Sequence, residues 1–170
     1  MKRMILLSLV APALAFAQAK VENKPSNLER APIIAVSHRL ACGAGAQQVG
    51  GVNSNMQMLG CMKVGTEGER QFHGPMLSFY KDGKVEATGQ ADSGFRSGKW
   101  AFFNQAGEKV GETEFKRGDY HGKRVEYFAN GAVKSEQFWV DGKRQGPQKA
   151  IDEAGKVTVQ NFLDDKLVSN

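Results

Sequence analysis

The side chains that could catalyse a reaction or bind a metal ion are few in this sequence, and their spacing separates them. His73 and His121 occupy equivalent positions of a 24-residue period, two periods apart. If each period adds two strands to one sheet, at about 4.8 Å per strand, the two imidazoles lie roughly 19 Å apart. That distance excludes a shared metal ion, so we interpret both histidines as polar residues that precede a turn glycine.

The acidic side chains with the best spacing for paired chemistry are Glu112 and Glu136, which stand one period apart. The same strand spacing predicts a separation of about 10 Å, beyond the roughly 5 to 5.5 Å that a retaining glycosidase uses. The sequence also lacks the nucleophile-elbow, zinc-protease and phosphate-loop motifs. We therefore expect no enzyme activity, no cofactor and no metal site.

Cys42 and Cys61 are the two cysteines of the chain. An even cysteine count in an exported chain favours a disulfide, and two free thiols are the alternative. A bridge would close a loop of about 20 residues, which stabilises the fold by roughly 3 kcal/mol in the chain-entropy model. A zinc site is disfavoured because only His38 and His73 lie near these cysteines in sequence, whereas zinc takes four ligands.

Three glycine columns with the same 24-residue step indicate the elements that position these side chains. A fixed period of this length predicts tandem supersecondary units, and here it gives four repeats between residues 71 and 167. The third column consists of Gly94, Gly118 and Gly142, and Lys166 replaces its fourth glycine. The turn glycines of the first two columns are Gly74, Gly98, Gly122 and Gly146, together with Gly83, Gly107, Gly131 and Gly155.

The runs between the glycines predict β-hairpins. Asp82-Gly83 and Asn130-Gly131 separate short apolar segments, and such dipeptides favour type I′ turns, in which both central residues have positive φ. The predicted fold is therefore all-β, a single-sheet antiparallel β-meander of four tandem hairpin repeats. In the fourth repeat Lys149 stands in a column of apolar residues, which we interpret as a polar cap at the end of the array.

Apolar columns predict one core face, and the opposite face predicts a binding surface. The core columns are Phe79, Phe103, Tyr127 and Ile151; Leu77, Ala101 and Val125; and Ala91, Phe115, Trp139 and Leu163. The aromatic residues outside these columns are Tyr80, Trp100, Phe102 and Phe128. If exposed, they would form a binding face, because Trp and Tyr are enriched at interface hot spots. The alternative is that the sheet curls, or that the two-cysteine segment covers and buries them.

The N-terminal residues have the order of a secretory signal. Lys2 and Arg3 precede the apolar run 4–16, and small residues at Ala17 or Ala19 fit a cleavage site, so residues 1–19 are predicted to be removed. The apolar run is too short to span a bilayer, and no later segment is apolar enough. These features predict export, either to the periplasm or to the medium. Residues 20–70 are predicted to be a linker and a two-cysteine segment, with a short strand at 33–36 and an irregular loop over 42–60.

The charge of the mature chain gives no indication of a polyanionic partner. Without Lys2 and Arg3 it has 21 basic and 18 acidic residues, which alternate along the sequence. Nucleic-acid binding proteins concentrate Lys and Arg in a stripe that follows the phosphates, and no such stripe is found. We therefore expect no nucleic-acid partner.

The repeat units resemble MORN-type repeats, and they are most similar to the variant found in the YwqK antitoxin family. The resemblance lies in stretches such as His73-Gly74-Pro75 followed by Phe79-Tyr80-Lys81-Asp82-Gly83-Lys84. It covers residues 71–167, about 57% of the chain. It implies an elongated β-meander that acts as an exported binding or scaffolding module, with an unknown protein or envelope component as partner. The alternative is a YwqK-like antitoxin or immunity protein, a role that the predicted signal peptide disfavours.

Overall fold

The computed structural model describes residues 29–35 and 37–168, so the predicted signal peptide and the first part of the predicted linker lie outside the described residues. Within the described part, twelve strands form one antiparallel sheet in chain order, and the short β9 pairs with β8 alone. This arrangement confirms the predicted all-β, single-sheet meander. The strands are β1 Ala46–Gly50, β2 Met58–Val64, β3 Arg70–Phe79, β4 Val85–Asp92, β5 Phe95–Phe103, β6 Lys109–Lys116, β7 Asp119–Tyr127, β8 Val133–Val140, β9 Lys143–Arg144, β10 Gly146–Ile151, β11 Val157–Leu163 and β12 Lys166–Val168.

Two kinds of turn alternate along the meander. In the first kind a glycine such as Gly83 has a φ of +81°, and its N–H donates to the carbonyl of Tyr80 at 2.9 Å. The residue before that glycine has no positive φ, so the type I′ geometry predicted at Asp82-Gly83 and Asn130-Gly131 is wrong, although both hairpins exist. A three-residue loop with one left-handed glycine makes these turns instead.

The second kind of turn connects one repeat to the next and has the type I′ signature. Two successive residues have positive φ between strands β4 and β5, β6 and β7, and β8 and β9. These pairs are Ser93-Gly94, Arg117-Gly118 and Asp141-Gly142. Because the connections are themselves tight hairpins, the repeats join into one continuous sheet without a gap between units.

The fourth repeat is one residue shorter than the others, and this reverses part of its side-chain pattern. In the first three hairpins the register shifts next to Phe79, Phe103 and Tyr127, which leaves one extra residue on the returning strand. The β10–β11 hairpin has no such bulge. A shift of one residue moves side chains to the other face of a sheet.

The missing bulge corrects two sequence predictions. Phe162 is 9% exposed and takes the core position that was predicted for Leu163, which is 58% exposed. The last turn is formed by Asp164 and Asp165, both with positive φ, and not at the position of Lys166. A 24-residue spacing counted through this shortened hairpin is therefore one residue too long, and it assigns Leu163 to the core in place of Phe162.

The segment before the repeats contains strands that the sequence did not predict. The residues predicted as an irregular loop, 42–60, include β1 and the start of β2, which pairs with both β1 and β3. The strand predicted at 33–36 is wrong for residues 33–35, which have no strand pairing, and Val36 lies outside the described residues. Pro32 has no N–H to donate to a strand ladder. The local pairing is instead an isolated bridge between Arg30 and Glu108.

The disulfide between Cys42 and Cys61 is present, with 5.5 Å between the Cα atoms. Cys61 lies in β2 and is fully buried, whereas Cys42 lies in the segment that precedes β1. The bridge therefore ties this segment to the sheet next to the first repeat. The predicted pairing of the two cysteines is confirmed in the structure, and neither is a free thiol.

The sheet has a small core on each face, whereas the sequence columns predicted one core face. We call leucine face the side with Leu59, Leu77 and Phe79, and aromatic face the side with Trp100 and Phe115. On the leucine face Val85 and Phe103 complete the cluster, and the covering residues are Ala31, Ile34, Leu40 and Val52. The aromatic face has the cluster Ala87, Trp100 and Phe115, packed by Met76 and Phe102. The column that contains Phe115 therefore belongs to the face opposite Leu77.

Candidate binding surface

Trp100 is the residue for which the predicted binding face is wrong. Its side chain is 1% exposed, so it is not available to a partner. The indole lies on the backbone of Gly89, where an added Cβ would come within 2.3 Å of the ring. Its Nε1–H donates to the carbonyl of Gln90 at 2.9 Å. A glycine in the neighbouring strand thus makes the space that buries this side chain. Trp100 is buried, as in the predicted alternative, but not by the two-cysteine segment, which packs on the other face.

The other three predicted residues do not lie together. Phe102 is half-buried on the aromatic face, where Arg96 lies 5.6 Å from its ring centroid. Tyr80 and Phe128 belong to the hairpin turns of the first and third repeats, and the Tyr80 hydroxyl donates to the carbonyl of Phe103 at 2.7 Å. Burial, followed by the charges of Glu86 and Asp82, raises the pKa of Tyr80. Of the predicted binding residues, Phe102 therefore lies on the aromatic face, whereas Tyr80 and Phe128 lie in the turns at the ends of the strands.

A ladder of aromatic rings crosses the aromatic face from repeat to repeat. The ring centroids of Trp100 and Phe115 are 6.4 Å apart, those of Phe115 and Tyr120 5.3 Å, and those of Tyr120 and Trp139 5.1 Å. These separations and the tilted or edge-on geometries are the ones that aromatic pairs prefer. The β6–β7 register places Phe115 directly opposite Tyr120, so strand pairing itself forms this step of the ladder.

Arginine side chains lie on this ladder. The guanidinium carbon of Arg96 is 4.6 Å from the ring centroid of Trp100 and 5.6 Å from that of Phe115. Arg124 lies 5.7 Å from the ring centroid of Tyr120. Guanidinium groups at such distances are attracted by the ring quadrupole. Among the described residues Arg96 has no carboxylate partner, whereas Arg124 donates to Glu126.

The combination of an arginine and an aromatic ring recurs in the last repeat. Arg144 lies 4.1 Å from the ring centroid of Phe162, and its Nε donates to Asp165 at 2.9 Å. The backbone N–H and the guanidinium of Arg144 lower the pKa of Asp165. This carboxyl group is fully exposed, so the pair mainly orients the arginine over the ring.

Part of the ladder is accessible to a partner. Tyr120 is 36% exposed on this face. Phe95, which is 53% exposed, pairs with Asp92 and lies on the leucine face, so it is not part of the ladder. Phe95 packs on Gly118, where an added Cβ would lie 3.2 Å from the ring. A shallow groove of about 190 Å³ runs along Phe102, Tyr120 and Arg124. Such a surface can bind a macromolecule, because tyrosine and arginine are both common side chains at interface hot spots. The rings can stack on a flat group, and the guanidinium groups can pair with an anionic group.

The side chains examined for catalysis remain dispersed. His73 Nδ1 lies 3.1 Å from Asp92, and His121 Nδ1 lies 3.2 Å from Asp141, so each repeat pairs its histidine with a local carboxylate. A hydrogen bond and the charge of Lys116, followed by His121, lower the pKa of Asp141. Within 29–35 and 37–168 no three His, Cys, Asp or Glu side chains are grouped so as to hold a metal ion.

Glu112 and Glu136 lie on the leucine face, and the register places Val125 between them. Glu112 accepts a hydrogen bond from Lys109 at 2.6 Å. Burial by itself lowers the pKa of Lys109, but the hydrogen bonds and charges of Glu112 and Glu29 together outweigh it and raise that pKa. Glu136 pairs with Lys123 at 2.7 Å. Both glutamates therefore serve ion pairs on the sheet surface.

Sequence reasoning missed the arginines of the ladder. Arg96, Tyr120 and Arg144 share one 24-residue column, but a column of mixed arginine and tyrosine resembles an ordinary polar surface. The signal that would have found them is their position shortly after the glycine turns, where each lies opposite a residue of the preceding strand in the column of Ala91, Phe115 and Trp139. Strand register, which the bulges shift, decides that opposition.

Residues 72–91 and 120–141 match the MORN repeat variant family model. These MORN segments are the first and third repeats, and together they cover about a quarter of the chain. The second and fourth repeats have the same hairpin topology without a match. MORN repeats are generally binding or scaffolding modules.

Comparisons with curated sequences and with solved structures do not identify a related protein. A search of curated protein sequences finds no similar sequence. Among solved structures, a Staphylococcus aureus TarM structure in complex with fondaparinux, α-GlcNAc-glycerol and UDP aligns with a TM-score of 0.32 and 11% identity. The alignment covers 75% of this chain and 22% of TarM, and a likeness this low carries no argument. Among the described residues no helix has the length and apolarity needed to cross a bilayer.

Proposed function

We propose that this protein is an exported binding or scaffolding module, and that its aromatic face contacts a protein or another component of the bacterial envelope or its surroundings. The observation that carries the proposal is the row of rings and arginines, partly exposed at Tyr120, on the face opposite the one that the described N-terminal residues cover. The MORN matches support a binding role. The role is binding and not catalysis, because the repeats spread equivalent side chains about 10 Å apart instead of converging them.

Export is supported by the disulfide and by the signal-like order of residues 1–19. Disulfides form and persist in oxidising compartments. The proposed location is therefore the periplasm or the medium. The intact mass of the protein recovered from these fractions tests export, because cleavage at Ala17 or Ala19 removes a defined mass. A full-length protein in the cytoplasm would contradict it.

The binding surface is tested by capture of partners from the envelope fraction with the mature protein. Tyr120→Ala is expected to weaken capture by about 2 kcal/mol, near thirtyfold, if this ring is a hot spot. Phe138→Ala is the matched control, because Phe138 is 42% exposed but lies on the leucine face. Circular dichroism verifies the fold of both variants. Loss of capture with Phe138→Ala and retention with Tyr120→Ala would place the interface on the other face.

The identity of the captured molecule separates the two proposed roles. Several envelope components at variable ratios would support scaffolding. A single protein bound in a fixed stoichiometry, whose toxicity the complex suppresses, would support the YwqK-like antitoxin role instead. Binding that no aromatic-face variant alters would reject the proposed surface for both roles.

A further inference from the structure

The four hairpin turns that close the repeats have one common geometry. The φ values of Gly83, Gly107, Gly131 and Gly155 are +81°, +77°, +79° and +82°. In each turn the glycine N–H donates to the carbonyl three residues earlier, at 2.8 to 2.9 Å. The grooves between neighbouring turns therefore share the same turn backbone, and they differ in their side chains and in the bulge that the fourth hairpin lacks.

The groove between the first and second turns binds an extended segment of the chain itself. The N–H of Ala31 donates to the carbonyl of Gly107 at 2.8 Å, and the N–H of Lys109 donates to the carbonyl of Glu29 at 3.2 Å. Arg30 forms an ion pair with Glu108 at 3.9 Å. Ala31 and Ile34 then pack on the core cluster of the leucine face. This turn groove thus recognises an extended peptide by backbone hydrogen bonds, one ion pair and small apolar side chains.

The equivalent groove, two repeats further on, is not filled by any described residue of the N-terminal segment. It has a volume of about 450 Å³ and is lined by Phe128, Ala132, Ile151 and Gly155. Ala132 stands where the first groove has the long side chain of Lys84, and Phe128 stands where it has Tyr80. The second groove is therefore at least as open as the first and more apolar at these two positions, while Asn130, Asp152 and Glu153 also line it.

The charge of the second groove is opposite to that of the first at the position that contacts the peptide. Lys156 is the counterpart of Glu108, and Val157, which is 47% exposed, is the counterpart of Lys109. The chain's own segment would place Arg30 against Lys156, which is unfavourable. An acidic residue at that position would be attracted instead. Asp152 is engaged in the turn itself, since it accepts the N–H of Lys156 at 2.8 Å, and Glu153 lies on the groove in the place of Gln105.

We propose that the groove between the turns of the third and fourth repeats binds an extended peptide segment of a partner protein, with an acidic residue directly before a short apolar stretch of the Ala-Pro-Ile-Ile type. The acidic side chain pairs with Lys156, and the apolar residues lie over Ala132 and Ile151. Recognition reuses the mode by which the first groove holds residues 29–34. This inference does not rest on the proposed function, because the groove lies between the hairpin turns, whereas the proposed function concerns the aromatic face.

Two synthetic peptides test the proposal directly. Acetylated and amidated AEAPIIA and ARAPIIA differ only in the charge that faces Lys156. Each is titrated into the ¹⁵N-labelled mature protein while amide chemical shifts are followed. We expect AEAPIIA to shift the amides of residues 128–132 and 154–157 and to bind roughly fivefold more tightly than ARAPIIA, the ratio for an exposed ion pair. Lys156→Glu is expected to reverse the preference.

Glu108→Lys is the matched control, because it makes the same kind of change in the groove that is already occupied. It should leave the preference for AEAPIIA unaltered. Equal binding of the two peptides, shifts confined to the first groove, or an unchanged preference in Lys156→Glu would each overturn the proposal. Shifts at residues 154–157 that depend on protein concentration without peptide would assign the groove to a second copy. Peptide binding that appears only after removal of the residues before Glu29 would assign it to the chain's own N-terminus, which also overturns the proposal.

Discussion

The two ends of the sheet have the same hairpin backbone but differ in what covers the leucine face. In the first two repeats the N-terminal segment packs on this face, and Leu59, Leu77 and Phe103 are almost completely buried. In the last repeat the apolar side chains that lie on this face are exposed: Val157, Val159, Leu163 and Val168. The polar cap predicted from Lys149 is therefore wrong for β11 and β12, whose valines and leucines remain at the surface among the described residues.

This difference shows that a repeat alone does not make a core. A sheet must place its apolar face against a second layer to remove that face from water. Here the second layer is a short irregular segment, tied to β2 by one disulfide, and its described residues cover the core of the first two repeats. We therefore expect the free energy of unfolding to depend mostly on the first half of the sheet, and changes there to cost more than equivalent changes in the second half.

The largest difference between the two halves is expected for the two tryptophans. Trp100→Ala should lower the free energy of unfolding by about 3 to 5 kcal/mol, since it leaves a cavity over Gly89 and removes a hydrogen bond. Trp139→Ala should cost less, because Trp139 is only half-buried. Urea unfolding followed by circular dichroism measures both. Equal losses would mean that the second half of the sheet is as well packed as the first.

The next largest effect is expected from the disulfide. Replacement of Cys42 and Cys61 by alanine should cost about 3 kcal/mol, the chain-entropy value for a loop of this size. The loss should be accompanied by faster amide exchange at Ala31 and Lys109, whose N–H groups donate to Gly107 and Glu29 between the covering segment and its turn. The reduced wild-type protein is the control and should behave like the double variant. A stable covering segment after reduction would show that packing alone holds it.

A smaller effect separates equivalent glycines of the two halves. Valine at Gly107 or Gly131 is strained at a φ of +77° or +79°, which costs about 1 to 3 kcal/mol. Gly107 also lies near Ala31, at 3.8 Å from an added Cβ, so its variant should additionally disturb the covering segment. Thermal unfolding of Gly107→Val should therefore show the lower midpoint. Identical midpoints would indicate that the segment contributes little at this turn.

The sequence was sufficient for the period, the hairpins and the disulfide, because each depends on residues of fixed type at fixed spacing. It did not reveal which aromatic residues are buried. The burial of Trp100 depends on Gly89 in the neighbouring strand and on a register that shifts by two residues within the β4–β5 pair. The position of Phe162 likewise depends on a bulge that the fourth hairpin lacks. Such features arise from pairing between strands, and a column of equivalent residues does not record them.

The smallest expected effect is a loss of stability at alkaline pH. It tests the contact between the covering segment and the first half of the sheet. Folding raises the pKa of Lys109 through Glu112 and Glu29, against the effect of burial, and burial raises the pKa of Tyr80 and Tyr127. A group whose pKa is higher in the folded state contributes stability below its unfolded pKa, near 10, and that stability is lost as the pH rises through the folded pKa.

The free energy of unfolding should therefore be independent of these three groups at neutral pH and should fall above about pH 10. Lys109→Met removes the amine that joins Glu29 of the covering segment to Glu112 of β6, so it should flatten part of this decline and loosen the segment already at pH 8. Lys123→Met is the matched control, since Lys123 pairs with Glu136 on the same face without contacting the segment. Unfolding midpoints measured from pH 8 to 11 compare the two variants. If stability falls with pH in Lys109→Met as it does in the wild type, the alkaline loss is due to the tyrosines. If Lys123→Met changes the midpoints as much as Lys109→Met does, the ion pair to the covering segment contributes no more to stability than the other pair on this face.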